Sequence, residues 1–181
     1  MAALFVVYRA CAPVPPPGAG AAPPAAAAAH FFAMGRKSIV MNSRRLILVL
    51  DGQGGGMGTQ LIKMLAPALP ADCELLAVGT NVLATNAMLK AGARRGATGE
   101  NAVVYNASRA DLILGPIGMI LANGILGEVS PRMAAAVSGA AAEKILIPAS
   151  HCGVQIAGAQ DCRLEEYLES AVALALRALE A

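Results

Sequence analysis

A glycine-rich run between residues 51 and 59 displays the clearest chemistry in the sequence. It reads Asp51-Gly52-Gln53-Gly54-Gly55-Gly56-Met57-Gly58-Thr59, after an apolar run and before a helical pattern. Glycine lets a ligand approach the backbone closely, and the amides at a helix amino terminus attract phosphate. The predicted cofactor contacts here are Asp51, Gly52, Gln53, Gly54, Gly55, Gly56 and Gly58. The alternative is a tight strand-to-helix crossover that needs small residues only for packing.

The spacing of these glycines can be compared with the patterns of known nucleotide-binding loops. Gly52, Gly56 and Gly58 fit a G-x-x-x-G-x-G spacing, which resembles the fingerprint of short-chain dehydrogenases. The G-x-G-x-x-G pattern fails because residue 57 is Met, and the P-loop lysine does not follow Gly58. The Tyr-x-x-x-Lys pair of a short-chain dehydrogenase is also missing, because Tyr105 is followed four residues later by Arg109. The loop therefore predicts phosphate binding without identifying a reaction.

Polar residues after the second predicted strand indicate the type of ligand. A NAD site has an acidic residue at this point to hold the ribose hydroxyls, and the sequence has none there. Thr80 and Asn81, with Arg94 or Arg95, are predicted to receive a phosphate instead, although the two arginines also fit a solvated loop. This pattern favours NADP or a mononucleotide over NAD. Gly115 follows another strand at the same predicted edge and completes the binding set.

Candidate catalytic residues are few. Glu100 and Glu128 lie in glycine-rich segments, where either carboxylate could act as a general base or simply be solvated or cap a helix. Cys152 follows the fifth predicted strand, at the edge where sites in parallel sheets lie, but a thiolate needs a nearby positive charge. Whether the protein is an enzyme stays open. The sparse set of acids and bases favours a non-catalytic sensor of a nucleotide or phospho-metabolite, with a small NADP-type or nucleotide-dependent enzyme as the alternative.

The elements that would position these residues alternate between strands and helices. Predicted strands occupy residues 46–50, 74–78, 102–105, 111–114 and 144–147, with a short sixth strand at 154–156. One predicted helix follows the glycine loop, and three more occupy residues 81–91, 131–142 and 164–179. Unbroken apolar strands that alternate with helices indicate a mostly parallel sheet covered on both faces. The sequence therefore predicts an α/β fold, a Rossmann-like three-layer domain.

Composition separates residues 1–40 from the rest of the chain. They hold 13 Ala, six of the 11 Pro and no acidic residue. We predict that they form a leader outside the folded unit, and that residues 41–181 form one domain. That body has 11 basic and 12 acidic residues, so it does not favour nucleic acid as a partner.

The remaining composition limits location and partners. No apolar run approaches the roughly 20 residues that span a bilayer, so no membrane partner is predicted. Four cysteines without C-x-x-C spacing, and only two histidines, predict a reducing, cytoplasmic location and no metal site. The predicted partner is a phosphate-bearing small molecule. The 56% hydrophobic content is compatible with a homo-oligomer and equally with tight sheet packing.

A series of short motifs along the body carries a family resemblance. The motifs lie at residues 51–56, 77–81, 90–93, 96–102, 115–118 and 144–148. Together they resemble a short bacterial family known as domain of unknown function 3842, over about residues 45–179. The resemblance implies a typical length close to that of the body, which agrees with a separate leader. It implies no known activity, cofactor or catalytic residue.

Overall fold

The apolar run that follows Arg45 forms the central strand of a sheet. The computed structural model describes residues 44–148, 154–159 and 162–180. Within these residues the first strand is buried from Ile47 to Asp51, because it has a strand on each side and helices on both faces. The strands are β1 (Arg45–Asp51), β2 (Cys73–Gly79), β3 (Arg95–Thr98), β4 (Leu112–Pro116) and β5 (Glu143–Ile147).

The order of the strands creates a switch point in the sheet. The order is β3-β2-β1-β4-β5, and every pairing is parallel. From β1 the chain first builds outward on one side through β2 and β3, and then returns to place β4 on the other side. Ligands of open α/β sheets bind at the carboxyl ends of the strands where the order reverses in this way. The structure confirms the predicted three-layer, Rossmann-like α/β fold.

In the described part of the chain, five helices cover the two faces of the sheet. They are α1 (Gly56–Leu65), α2 (Val82–Lys90), α3 (Glu100–Ala107), α4 (Pro131–Ser138) and α5 (Leu164–Glu180), with a 3-10 turn at Ile117–Ile120. Successive residues of β1 point to opposite faces. Ile47 and Val49 therefore belong to the apolar cluster that includes α1 and α5. Leu48 and Leu50 belong to the second cluster, with α3 and α4.

The sequence assigned the third strand to the wrong segment. Residues 102–105 lie in α3, and the strand is Arg95–Thr98, which begins at one of the two arginines that also fitted a solvated loop. A short apolar run does not distinguish a strand from a buried helix, and here Val103, Asn106 and Ala107 are buried at helical spacing. The true β3 is polar because it lies at the edge of the sheet and is largely exposed.

Two smaller differences concern the second half of the chain. Residues 154–156 were predicted as a sixth strand, but they are exposed and form no regular structure. The helix expected at 131–142 ends at Ser138, and the backbone amide of Gly139 bonds the carbonyl of Ala135. The predicted leader, residues 1–40, lies outside the described residues.

Candidate ligand cavity at the carboxyl edge

A cavity opens at the switch point between β1 and β4. Its volume is about 450 Å³, within the range of small-molecule sites. The glycine loop and the start of α1 form one wall, and residues after β4 together with the start of α5 form the other. The lining residues are Asp51, Gly52, Gln53, Gly54, Gly56, Met57, Gln60, Pro116, Ile125, Leu126 and Leu164. Five of the seven loop residues predicted to contact a cofactor therefore line one cavity.

Three glycines of the loop are required by the packing of the protein. A Cβ on Gly52 would lie 2.8 Å from Glu128 Oε2, and a Cβ on Gly58 would lie 2.5 Å from Met88 Sδ. Gly55 has a φ of +70° and is buried against the backbone of Ala84. The alternative interpretation of the sequence, a crossover that needs small residues, therefore explains these three positions.

Gly54 and Gly56 differ from these three glycines because the packing leaves room for a side chain at both positions. Both are exposed and both line the cavity, and a Cβ on either would meet nothing within 4 Å. Within residues 44–148, 154–159 and 162–180, the amide of neither glycine has a hydrogen-bond acceptor. The fold therefore does not require glycine at these two positions, whereas a ligand that approaches the backbone would.

Asp51 occupies the amino terminus of α1. Its Oδ2 accepts the amide of Gly58 at 2.6 Å, and its Oδ1 accepts the amide of Gly52 at 2.8 Å. The side chain is buried, with 5% of the residue exposed. Burial raises the pKa of Asp51, and the amides of Gly58, Gly52 and Met57 counteract only part of this effect. Amides that could have bound phosphate at the helix terminus are thus already paired with a carboxylate.

Glu128 brings a second carboxylate to the glycine loop. Its Oε2 accepts hydrogen bonds from the amide of Gln53 at 2.9 Å, from Asn81 Nδ2 at 3.0 Å, and from Thr80 Oγ1. Desolvation opposes ionisation of Glu128, but these three hydrogen bonds outweigh it and lower its pKa. Sequence reasoning named Glu128 only as a candidate base. Its partners lie about 50 and 75 residues away in the chain, and no local pattern could have indicated them.

The side chains predicted to receive a phosphate beside β2 form hydrogen bonds or ion pairs with other residues of the protein. Thr80 and Asn81 both donate to Glu128, and Asn81 also caps α2 by accepting the amide of Ala84. Arg95 begins β3, away from its carboxyl end, and pairs with Glu74 at 2.6 Å. Arg94 precedes it at the same end of the strand. The structure therefore separates both arginines from the glycine loop.

The loop of residues 121–129, which we call the 121–129 loop, has a strained backbone. Asn123, Ile125 and Leu126 have φ values of 61°, 52° and 55°, a region that costs about 1–3 kcal/mol for each such residue. Leu126 is 93% exposed and lines the cavity beside Ile125. The sequence did not identify Ile125 and Leu126 as cavity residues, because an apolar residue in a loop carries no local signal of function.

Of the remaining predicted site residues, Glu100 and Gly115 do not line the cavity. Glu100 accepts a hydrogen bond from Ser130 Oγ at 2.5 Å and faces Arg132 at 3.4 Å, which ties the start of α3 to the start of α4. Gly115 lies in β4, where a Cβ would meet Leu50 O at 2.5 Å. Cys152 lies outside the described residues.

Within the described ranges, no group of three or more His, Cys, Asp or Glu side chains is placed to hold a metal ion. The helices of the described part are too short or too polar to cross a bilayer.

The fold and the cavity define a Rossmann-like α/β protein with a ligand-sized site at its switch point. The chain belongs to the family described as domain of unknown function (DUF3842), whose profile matches residues 46–180. This confirms the resemblance inferred from the motifs. No curated protein matches the sequence.

One similar solved structure is the crystal structure of a dodecameric FMN-dependent UbiX-like decarboxylase from Escherichia coli O157:H7. The match covers 76% of this chain and 95% of that chain, with 17% sequence identity and a TM-score of 0.43.

Proposed function

We propose that this protein binds a phosphate-bearing small molecule, a nucleotide or phospho-metabolite, in the cavity at the carboxyl edge. The observation that carries the proposal is the pair Gly54 and Gly56. The fold does not need glycine at either position, and both residues line the cavity. Two amides without an acceptor among the described residues can donate to phosphate oxygens, and the missing side chains let the phosphate approach.

The cavity also accommodates the rest of such a ligand. The lining also includes Pro116, Ile125 and Leu126, which offer apolar surface to a ring. Ligand sites combine apolar walls with a few polar groups that fix orientation. A molecule with a phosphate at one end and a flat apolar group at the other would contact both walls.

Asp51 limits how strongly an anion is held. It already accepts the amides at the start of α1, so the helix terminus contributes less to a phosphate than in an unoccupied loop. Burial raises the pKa of Asp51, and both of its carboxyl oxygens are occupied by the amides of Gly52 and Gly58. We therefore expect moderate affinity and a phosphate centred on Gly54 and Gly56.

The residues of the cavity favour a binding module over an enzyme. Among the described lining residues there is no histidine, cysteine or lysine, and Asp51 is the one carboxylate. Asp51 also supports the second candidate function, a small NADP-type or nucleotide-dependent enzyme, because a buried carboxyl with a raised pKa at a cavity is a candidate general acid. The homo-oligomer and the cytoplasmic location stay predictions.

Isothermal titration of the full chain tests the proposal, with AMP, GMP, CMP, UMP, NAD and NADP as probes. We expect at least one to bind the wild type, and Gly56→Val to weaken that binding at least tenfold while the protein stays folded, because a side chain there fills the cavity and not the core. Ala135→Val, on the exposed face of α4, is the matched control and should bind normally. Equal binding by Gly56→Val and wild type would show that the loop holds no ligand. Turnover of a bound nucleotide would favour the enzyme.

A further inference from the structure

Glu128 places a carboxylate beside the carboxyl end of β2 although β2 itself ends without one. Thr80 and Asn81 follow β2 directly, and both donate to Oε2 of Glu128. The amide of Gln53 donates to the same oxygen. In the described part of the chain, Oε1 accepts no hydrogen bond. One oxygen therefore anchors the side chain and the other keeps its lone pairs for water or a ligand.

The carboxylate of Glu128 lies beside the glycine loop. Its Oε2 is 2.8 Å from the position that a Cβ on Gly52 would occupy, and Gly52 lines the cavity whereas Glu128 does not. Glu128 holds the amide of Gln53, and the next amide in the chain belongs to Gly54, which faces the cavity. Consecutive Cα atoms are about 3.8 Å apart. A ligand whose phosphate contacts Gly54 and Gly56 would meet Glu128 where it extends along the loop past Gly52 and Gln53.

The ionised carboxylate of Glu128 would attract some of the ligand groups next to the bound phosphate and repel others. It accepts strong hydrogen bonds from hydroxyl groups and repels a second phosphate. The polar groups of Thr80 and Asn81, which could have donated to such a phosphate, are taken by Glu128 itself. Arg95, the cation expected to help, pairs with Glu74.

We propose that Glu128 accepts the ribose hydroxyl groups of the ligand through Oε1, so that the site selects nucleotides with an unsubstituted ribose and rejects those with a 2′-phosphate. This inference rests on the proposed function and names its ligand class. It reverses the preference for NADP that the sequence indicated. In many dinucleotide-binding proteins an acidic residue at the end of the second strand does this work. Here a residue from the 121–129 loop would do it.

Titration of wild-type protein with paired probes tests the inference. The pairs are NAD with NADP, and each ribonucleoside monophosphate with its 2′-deoxy analogue. Within each pair that binds, we expect the member with a free 2′-hydroxyl, NAD or the ribonucleotide, to be favoured about tenfold or more. Only that member can donate the 2′-hydroxyl to the charged Glu128. The wild-type ratios need no variant, so the test does not depend on how a mutant folds.

A charge-removing variant identifies the residue responsible. Glu128→Gln retains an oxygen for the three anchoring donors and replaces the other oxygen with an amide, so both ratios should fall toward one. Glu100→Gln is the matched control, because Glu100 also accepts a hydroxyl hydrogen bond but pairs with Ser130 and Arg132 at the start of α4 rather than with the glycine loop, and it should keep both ratios.

Two results would overturn the inference and leave the proposed function standing. One is a wild-type protein that binds both members of a pair equally. The other is a preference that persists unchanged in Glu128→Gln. If wild-type protein binds none of the probes, the proposed function fails and this inference fails with it.

Discussion

The two loops that meet at the carboxyl edge of the sheet obtain their shapes in different ways. In the glycine loop, the most crowded position with a positive φ is occupied by glycine, at Gly55. In the 121–129 loop, the branched residue Ile125 and its neighbour Leu126 adopt positive φ without that relief. The first loop relies on glycine at its crowded position, although Gln53 in the same loop also has a positive φ of 48°. The second is held in a costly conformation by backbone hydrogen bonds within the loop, such as that from the amide of Asn123 to the carbonyl of Val129, and by the bonds of Glu128 to Gln53 and Thr80.

This difference indicates how the two loops contribute to the site. Strained backbone persists only where surrounding contacts enforce it, and such strain clusters at functional sites. The 121–129 loop places Leu126 at the cavity and Glu128 at the end of β2. A loop that did not have to place these two residues would not need a strained backbone. We infer that the glycine loop serves mainly to bind and that the 121–129 loop serves mainly to select.

The largest expected effect comes from placing a side chain where the glycine loop is crowded. Gly55→Ala combines a positive φ with a Cβ 2.8 Å from the backbone of Ala84. We expect it to lower the free energy of unfolding by about 3 kcal/mol or more, measured by urea denaturation. Gly56→Ala is the control and should stay within about 1 kcal/mol of wild type. Similar losses in both variants would contradict the division of the loop into packed and cavity-facing glycines.

An intermediate effect is expected from the charge that joins the two loops. The pKa of Glu128 is lowered in the folded protein, so its ionised form stabilises the fold. This contribution is present above the ordinary value of 4.5 and is lost as the pH falls through the lower folded-state pKa. Glu128→Gln should therefore be less stable than wild type by about 1–2 kcal/mol at neutral pH, and the difference should vanish well below pH 4.5.

Urea denaturation of both proteins across this pH range is the measurement. Asp51, with its raised pKa, has the opposite dependence: its contribution to stability is present at low pH and lost as the pH rises. Because Asp51 is present in both proteins, its effect largely cancels in the difference. A stability difference that stays constant with pH would show that Glu128 acts by packing alone.

The smallest effect is expected where strain can be relieved. Leu126→Asn should raise the free energy of unfolding by up to about 1 kcal/mol, because asparagine tolerates positive φ and Leu126 buries little surface. The same change should weaken ligand binding, because an apolar part of the cavity wall is lost. Leu83→Asn, also exposed but helical, is the control and should not be stabilised. A destabilised Leu126→Asn would mean that its contacts outweigh the strain.

Much of the architecture could be predicted from local patterns. The apolar runs located four of the five strands, and the period of residues 164–179 located α5, because burial on both faces or on one stripe leaves a direct pattern in the sequence. The exchange of β3 and α3 shows the limit. The polar edge strand Arg95–Thr98 has no apolar run, and the buried residues of α3 are too few to show a helical period.

The sequence by itself determined the alternation of strands and helices, the position of the glycine loop and the family, because these depend on residues adjacent in the chain. Only the tertiary structure decided which glycines serve packing and which face the cavity, since that depends on Ala84, Met88 and Glu128. It also decided that a carboxylate stands beside the end of β2. The physical reason is that chain folding joins Glu128 to Gln53 and Thr80, and the energy of that arrangement comes from long-range hydrogen bonds that no local pattern contains.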